Sequence, residues 1–292
     1  MTFMFMMVLM ASVMESITAT PVLAHNTDYQ LKDFVAGEPL TEEEFQSEFS
    51  SLAREMGDDE FIPWDKQHPE LLEGDIMLPG SKNAILNQNA LWPNKVIPYV
   101  ISANYTALQR QIIASGMSTY HNRTCIRFVP RTTERNYISI FKSGQGCWSY
   151  VGLINNGAQG VSLDDGCVVS WAPGVVVHEL MHTAGFWHEH MRPDRDTYVS
   201  VNLNNVLQRY RGNFNKLSTT QVTTLGLSYD YGSVMHYPRG AFAIDRNVPV
   251  ITALIGTPVL GQRAGFSTLD VQKLNKLYKS NHLVVDRHFK NS

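Results

Sequence analysis

Three apolar runs between residues 95 and 143 have the pattern of β-strands. They are KVIPYVI (95–101), IRFVPR (126–131) and YISIFKS (137–143), and each is rich in β-branched and aromatic residues. A stretch of helical character near Leu108 to Tyr120 separates the first run from the second. The pattern predicts a mixed β-sheet with a helix packed across it.

A second helix is predicted from Val175 to Thr183. Apart from two histidines, Glu179 and the closing Thr183, this stretch is apolar throughout, as expected of a helix buried on all sides. Gly185 ends the helix, since glycine is the usual residue just beyond a helix C-terminus. The polar side chains of this stretch are therefore expected in the protein interior.

The N-terminus has the pattern of a secretory signal peptide. Residues 3–13, FMFMMVLMASV, form a short apolar run, and the small-residue site Val22-Leu23-Ala24 follows. No Lys or Arg precedes the run and Glu15 follows it closely, so a short buried strand or helix is the alternative. No other run is long enough to span a bilayer. We therefore expect residues 1–24 to be removed and the protein to be secreted.

Charge is distributed unevenly along the 292 residues. Residues 25–75 carry 15 acidic and 3 basic side chains, a net charge of −12, whereas residues 83–292 carry 11 and 20, a net charge of +9. This asymmetry predicts an acidic pro-segment, residues 25–82, attracted to a basic catalytic domain, residues 83–292. A solvated acidic tail is the alternative, and both descriptions can hold for one segment. No Lys/Arg cluster with interleaved aromatic residues occurs, which argues against nucleic acid as a partner.

The second predicted helix carries the motif HELMH. His178 and His182 are four residues apart, so their imidazoles project from one helix face and can bind one Zn²⁺. Glu179 is offset by one position, where its carboxylate can accept a proton from zinc-bound water and pass it to a leaving amine. Gly185 lets the chain turn so that His188 reaches the same metal. Three neutral nitrogen ligands leave a coordination position open, which is typical of catalytic zinc.

The chain resembles the astacin branch of the metzincin zinc endopeptidases over about 200 residues. The resemblance rests on HELMHTAGFWHEHMRPDRDTYV (178–199), SVMHY (233–237), LWPNKVIPYVI (91–101), CIRFVPRT (125–132), GCWSYVG (146–152), GQR (261–263) and LNKLY (274–278). It implies an α+β catalytic domain of two lobes. The upper lobe would hold a twisted mixed sheet and long helices, the lower lobe would be largely irregular, and a protein or peptide substrate would lie extended in the cleft between them.

The resemblance also implies roles for residues outside the helix. Met235 belongs to a tight turn that packs beneath the zinc ligands without binding the metal. Tyr237 matches a tyrosine that ligates zinc in the resting enzyme and then hydrogen-bonds the oxyanion of the intermediate. Asp75, in Leu72-Glu73-Gly74-Asp75, matches an aspartate that replaces the catalytic water and keeps the enzyme latent. The family usually has Phe where this chain has Leu72.

Maturation and the cysteines follow from the same resemblance. The new N-terminus is expected at Asn83, after a cut by a trypsin-like protease at Lys82, and its amine would lie near Glu189. Cys147 and Cys167 match one family disulfide. Cys125 matches one end of another, but its expected partner position holds His282, so we expect a buried free thiol, with an intermolecular link as the alternative. Two N-glycosylation sequons begin at Asn104 and Asn122.

Other functional classes are weighed against the enzyme. A helix with three satisfied histidines would bury three imidazoles and a carboxylate without a metal, at a cost on the order of several kcal/mol. A pseudoenzyme would bind peptides or zinc without cutting, but the presence of Glu179 and Tyr237 argues against it. An inhibitory or structural secreted protein would gain nothing from an open zinc site. The sequence favours a zinc endopeptidase and leaves its physiological substrate open.

Overall fold

The computed structural model describes residues 34–46, 71–78 and 90–280. The predicted signal peptide, the Lys82–Asn83 bond and His282 lie outside these residues. The helices are α1 (Glu42–Gln46), α2 (Ala107–Arg123), α3 (Gly174–Thr183) and α4 (Thr268–Leu277). The strands are β1 (Val96–Ile101), β2 (Arg127–Pro130), β3 (Tyr137–Phe141), β4 (Cys147–Ser149), β5 (Ala158–Leu163), β6 (Val199–Val201) and β7 (Ile251–Ala253).

The larger sheet has five strands in the order β2-β1-β3-β5-β4. Strands β1, β2, β3 and β5 are parallel neighbours, and β4 runs antiparallel to β5. The three predicted strands and the mixed sheet are confirmed. Helix α2 connects β1 to its parallel neighbour β2, as such a crossover requires. It begins at a capping box in which the Thr106 hydroxyl accepts from the Gln109 amide and the Gln109 side chain accepts from the Thr106 amide.

Helices α2 and α3 pack closely against each other. A β-carbon at Gly116 of α2 would lie 2.7 Å from Cγ1 of Val176, so glycine is what lets the two backbones approach. The Tyr120 hydroxyl donates a 2.8 Å hydrogen bond to the Val177 carbonyl. Together with the sheet these helices enclose the main core, and α3 is therefore fixed in the interior, as its apolar sequence predicted.

Between α3 and α4 the chain has little regular structure. It consists of short 3-10 turns and the antiparallel pair β6–β7, arranged around a second core that includes Val199, Phe214, Tyr237 and Val250. Met235 belongs to the main core and Tyr237 to the second core, so the chain passes from one core to the other at residues 235–237. This arrangement confirms the α+β class, with a sheet and helices in one lobe and a largely irregular second lobe.

Candidate metal centre

The first two candidate ligands come from helix α3. All ten of its residues are buried. The helix begins against the backbone of the predicted GQR segment, since the Gly174 amide donates to the Arg263 carbonyl at 2.9 Å and a β-carbon at Gly174 would lie 2.3 Å from that oxygen. Glycine is therefore needed at this contact. With the start of α3 fixed in this way, His178 and His182 face one side, and their ring centroids are 4.8 Å apart.

The third candidate ligand arrives after a sharp turn. Gly185 has a φ angle of +107°, a conformation that other residues rarely adopt. The chain then reverses and brings the ring of His188 within 4.8 Å of that of His182 and 5.2 Å of that of His178. The structure thus brings together the three histidines that the motif predicted.

Each of the three imidazoles is oriented by a hydrogen bond at Nδ1. The acceptors are the Val234 carbonyl for His178, at 2.7 Å, and the Phe186 carbonyl for His182, also at 2.7 Å. For His188 the acceptor is the Glu73 carboxylate, at 2.6 Å. Carbonyl and carboxylate oxygens only accept, so each Nδ1 carries a proton and each Nε2 points inward. That orientation is the one in which imidazole binds a metal.

Asp75 lies among the three inward nitrogens. Its Oδ2 is 3.1 Å from Nε2 of His178 and 3.2 Å from Nε2 of His188, and its Oδ1 is 3.6 Å from Nε2 of His182. Ligand atoms around a tetrahedral zinc are separated by about 3.3 Å, because each bond is about 2.0 to 2.1 Å long. The four residues are buried, and their ligand atoms all lie within 4.8 Å of one another.

These contacts require a positive charge. Burial lowers the pKa of His178 to about 3, so this imidazole is neutral. The lone pair on its inward Nε2 then faces the Asp75 carboxylate. Burial also acts to lower the pKa of His188, but Asp75 and Glu73 outweigh it and raise that pKa to about 9. A proton on Nε2 of His188 would satisfy the contact of that ring with Asp75 only. Nε2 of His182 and Oδ1 of Asp75 would still lack hydrogen-bond partners. A divalent cation satisfies all four residues, so the site fits zinc.

Glu179 is fully buried next to this cluster. Neither of its carboxylate oxygens has a hydrogen-bond partner among the described residues. Burial, with a further contribution from the charge of Asp75, raises the pKa of Glu179 well above its usual value. An unpaired buried carboxyl group is costly and rarely serves packing alone. The buried, unpaired carboxyl group of Glu179 therefore points to a role beyond packing.

Tyr237 is also buried, and its hydroxyl donates to the backbone carbonyl of Glu73. Its ring stacks on His190, with 3.9 Å between centroids, and lies 4.6 Å from the ring of His188. His190 is held in turn by a 2.9 Å hydrogen bond to the Asn213 carbonyl. The Tyr237 hydroxyl is therefore engaged by residues 71–78 in this structure. The resemblance implied that it would ligate zinc in the resting enzyme.

Glu73 is a site residue that the sequence analysis did not single out. Its carboxylate accepts from His188, its carbonyl accepts from Tyr237, and its amide donates to Oδ1 of Asn213 at 3.2 Å. The LEGD motif contained this residue, but only the aspartate had an assigned role. The contact of Glu73 with His188 joins residues that are far apart in the sequence, so its role could be recognised only from the fold.

The predicted Met turn is hydrogen-bonded to the segments that carry His178 and His188. Met235 is buried in the main core, and its carbonyl accepts from the Glu189 amide at 3.0 Å. Asp270 of α4, which the sequence analysis missed, fixes this turn by accepting from the Ser233 hydroxyl at 2.6 Å and the Val234 amide at 2.9 Å. The signal available in the sequence was the capping box formed by Ser267 and Asp270.

Glu189 has its full set of partners in this structure. One carboxylate oxygen accepts from Lys273 at 2.6 Å, and the other accepts from the Asp230 amide at 2.9 Å and from Arg192 at 3.2 Å. The expected partner, the amine of Asn83, lies outside the described residues. In this structure Lys273 supplies a buried ammonium group to the Glu189 carboxylate.

The cysteines match the expected pairing, with one difference. Cys147 and Cys167 form a disulfide that ties β4 to the turn after β5. Cys125 is free, but it is half-buried rather than buried as expected. Its position just after α2, where its amide donates to Asn275, leaves one side of the residue accessible.

Comparison with known proteins agrees with this geometry. The sequence profile of the astacin peptidase family matches residues 84–279. Zinc metalloproteinase nas-4 of Caenorhabditis elegans is 39% identical over 218 residues, which cover 70% of this chain and 68% of nas-4. Low choriolytic enzyme of Oryzias latipes is 38% identical over 219 residues, which cover 72% of this chain and 78% of that enzyme.

A solved structure is also similar. High choriolytic enzyme 1, a hatching enzyme zinc-protease from Oryzias latipes, superimposes with a TM-score of 0.59 at 38% identity, over 70% of this chain and all of that one. The shared profile, the shared fold and the three inward-facing imidazoles lead to one assignment. The chain belongs to the astacin family and is a zinc metalloendopeptidase.

Proposed function

We propose that this endopeptidase is made in a latent form, with Glu179 as the general base and Asp75 as the group that blocks the metal. The observation that carries the proposal is the position of the Asp75 carboxylate, which lies 3.1 to 3.6 Å from the Nε2 atoms of His178, His188 and His182. A carboxylate there takes the coordination position that a catalytic water needs.

Three histidines hold the metal in the active form. Zinc, when bound by His178, His182 and His188, supplies a Lewis acid that polarises the substrate carbonyl and makes water more acidic. Glu179 accepts the proton of the attacking water and later delivers it to the leaving amine. Its buried, unpartnered oxygens support this role. Tyr237 donates its hydroxyl hydrogen bond to the developing oxyanion once the Glu73 carbonyl has left.

The pro-segment also covers the place where substrate would bind. The Ser149 amide donates to the Asp75 carbonyl at 2.9 Å, and the Met77 amide donates to the Ser149 carbonyl at 2.9 Å. Strand β4, which contains Ser149, is an edge strand of the five-stranded sheet. Extended peptides add to exposed sheet edges through main-chain hydrogen bonds. We expect the substrate backbone to pair with this same edge after the pro-segment leaves.

Activation then requires a cut between the pro-segment and the catalytic domain. A trypsin-like protease suits the bond after Lys82, which would give Asn83 as the new N-terminus. The opposite charges of the two parts, −12 and +9, favour their association until then.

We assign the enzyme to the extracellular space and to protein or peptide substrates. The apolar run at residues 3–13 and the Cys147–Cys167 disulfide support secretion, because disulfides persist in oxidising compartments. Along the described residues, none of the helices has the length and apolar character needed to cross a bilayer.

The test of the mechanism is Glu179→Ala. The mature variant should keep about one zinc per chain and lose peptide hydrolysis by several orders of magnitude, because the ligands remain and the base is gone. Wild-type mature protein should lose activity to a zinc chelator and resist serine and cysteine protease inhibitors. Turnover retained by the variant would refute the role of Glu179. Wild-type protein that binds peptides without cutting them would favour the pseudoenzyme.

A further inference from the structure

Residues 34–46, here called the outer segment, lie on the catalytic domain at a place other than the metal centre. The Gly37 amide donates to the Ile101 carbonyl at 2.8 Å, and the Ala103 amide donates to the Val35 carbonyl at 2.9 Å. These two bonds form a short antiparallel bridge at the end of β1. A β-carbon at Gly37 would lie 3.0 Å from the Cα of Ala103, so the two backbones are in close contact. The outer segment is therefore docked at the end of the sheet through its main chain.

Arg110 of α2 is the centre of the polar contacts. Its guanidinium binds both carboxylate oxygens of Glu44, at 2.6 and 3.1 Å, and donates to the carbonyls of Glu38 at 3.0 Å and Pro39 at 2.9 Å. The side chains of Arg110 and Glu44 are only 16% and 15% exposed. A forked, partly buried arginine–carboxylate pair is among the stronger polar contacts in proteins. Arg110 thus binds the outer segment through one carboxylate and two backbone carbonyls.

Apolar and aromatic contacts complete this interface. Leu40 is buried in the main core, and its amide donates to the Tyr99 hydroxyl at 3.2 Å. Phe45 stacks on His121, with 5.5 Å between ring centroids, and its carbonyl accepts from Ser118 at 2.8 Å. The helix α1 that carries Glu44 is itself started by a capping box with Thr41. None of these contacts involves a residue of the metal centre.

We propose that this face, formed by α2 and the end of β1, is a docking site for an acidic peptide, and that it keeps the pro-segment bound after the activating cut. The proposal rests on the latency described above. Both the outer segment and residues 71–78 lie before Lys82, so cleavage of that bond breaks none of their contacts. The cut converts the pro-segment into a separate peptide with two binding sites on one domain.

Two linked binding sites hold a peptide more tightly than either one does alone. When residues 71–78 leave the metal centre, the outer segment keeps them at a high local concentration, because residues 47–70 connect the two. Rebinding of Asp75 then competes with substrate. The cleaved enzyme should therefore stay partly inhibited until the outer segment also dissociates.

The test uses the full chain, cut at Lys82 and checked by mass spectrometry. Glu44→Ala is the main variant and Glu43→Ala the matched control, since Glu43 is an exposed neighbour on the same short helix. Removal of the pro-segment leaves an identical mature domain in both cases. Size-exclusion chromatography with peptide detection measures whether the pro-segment co-elutes, and dilution series measure its dissociation constant. We expect co-elution for wild type and Glu43→Ala, and binding weakened about 10- to 100-fold for Glu44→Ala.

A variant on the other side of the interface separates the ion pair from the capping role of Glu44. Arg110→Ala should weaken binding by a similar factor, with the exposed Arg135→Ala as its control. The double variant should lose less than the product of the two single effects. The inference is overturned if wild-type pro-segment elutes separately at once after the cut, or if Glu44→Ala binds as Glu43→Ala does. A mature domain that is inactive after complete removal of the pro-segment would instead refute the proposed function.

Discussion

Replacing Glu73 with glutamine should loosen zinc in the latent form and leave the mature enzyme unchanged. Glu73 accepts the Nδ1 proton of His188 at 2.6 Å, whereas His178 and His182 are oriented by backbone carbonyls of the catalytic domain. Of the three ligands, His188 alone thus has its ring orientation set by a residue of the segment that we propose is removed on activation. Glutamine keeps the shape of the side chain but removes the negative charge that makes the imidazole a better donor to the metal.

The expected loss of zinc affinity follows from the effect of comparable hydrogen-bond partners of metal ligands in other proteins. Loss of a residue that orients a metal ligand costs about 10- to 100-fold in metal affinity, which corresponds to about 1.4 to 2.7 kcal/mol. The amide oxygen can still accept from Nδ1, so Glu73→Gln should lie near the lower end, at about tenfold. The assay is competition for zinc between the uncut protein and a chelator that changes absorbance when it binds the metal.

Two comparisons make this assay decisive. Glu43→Gln removes the same charge from an exposed position of the pro-segment and should leave zinc affinity at the wild-type value. After complete removal of the pro-segment, all three proteins have the same sequence and should bind zinc equally. If uncut Glu73→Gln and uncut wild type bind zinc with equal affinity, the Glu73–His188 contact does not support the metal, and its role is confined to positioning the pro-segment.

Three further outcomes are expected. Uncut Asp75→Ala should hydrolyse a small peptide measurably, since the blocking carboxylate is gone, and if it stays as silent as wild type, occlusion by the rest of the segment causes the latency. Lys273→Met should lower the free energy of unfolding by about 3 kcal/mol and Tm by roughly 6 to 12 °C, because the buried Glu189 carboxylate then keeps only Arg192 and the Asp230 amide as partners. An unchanged denaturant midpoint would contradict this. Thiol labelling of denatured, unreduced protein should modify one cysteine per chain, Cys125, and no labelling in a monomer would exclude the free thiol.

The ligands could be predicted from the sequence because their geometry is local. His178 and His182 are related by the period of one helix, and Gly185 and His188 follow within six residues of it. Glu73 contacts His188, which is 115 positions away in the sequence, and Asp270 contacts Val234, which is 36 positions away. The periodicity of a single helix or strand cannot predict such contacts. Strands β4 and β5 were not predicted either, because CWS and AQGVSL are short or contain Gly and Ser, and their extended form depends on pairing with each other and with β3.

The geometry of the LEGD turn explains how so short a motif can control the whole centre. Glu73 and Gly74 have φ angles of +54° and +92°, two successive left-handed residues, and Leu72 and Ile76 close the turn through hydrogen bonds of 2.9 Å in both directions. The left-handed conformation costs about 1 to 2 kcal/mol at Glu73 and little at Gly74. In return the turn places one carboxylate at each nitrogen of His188, Glu73 at Nδ1 and Asp75 at Nε2. In the activation that we propose, withdrawal of this single turn would therefore free the coordination position, the third ligand and the Tyr237 hydroxyl together.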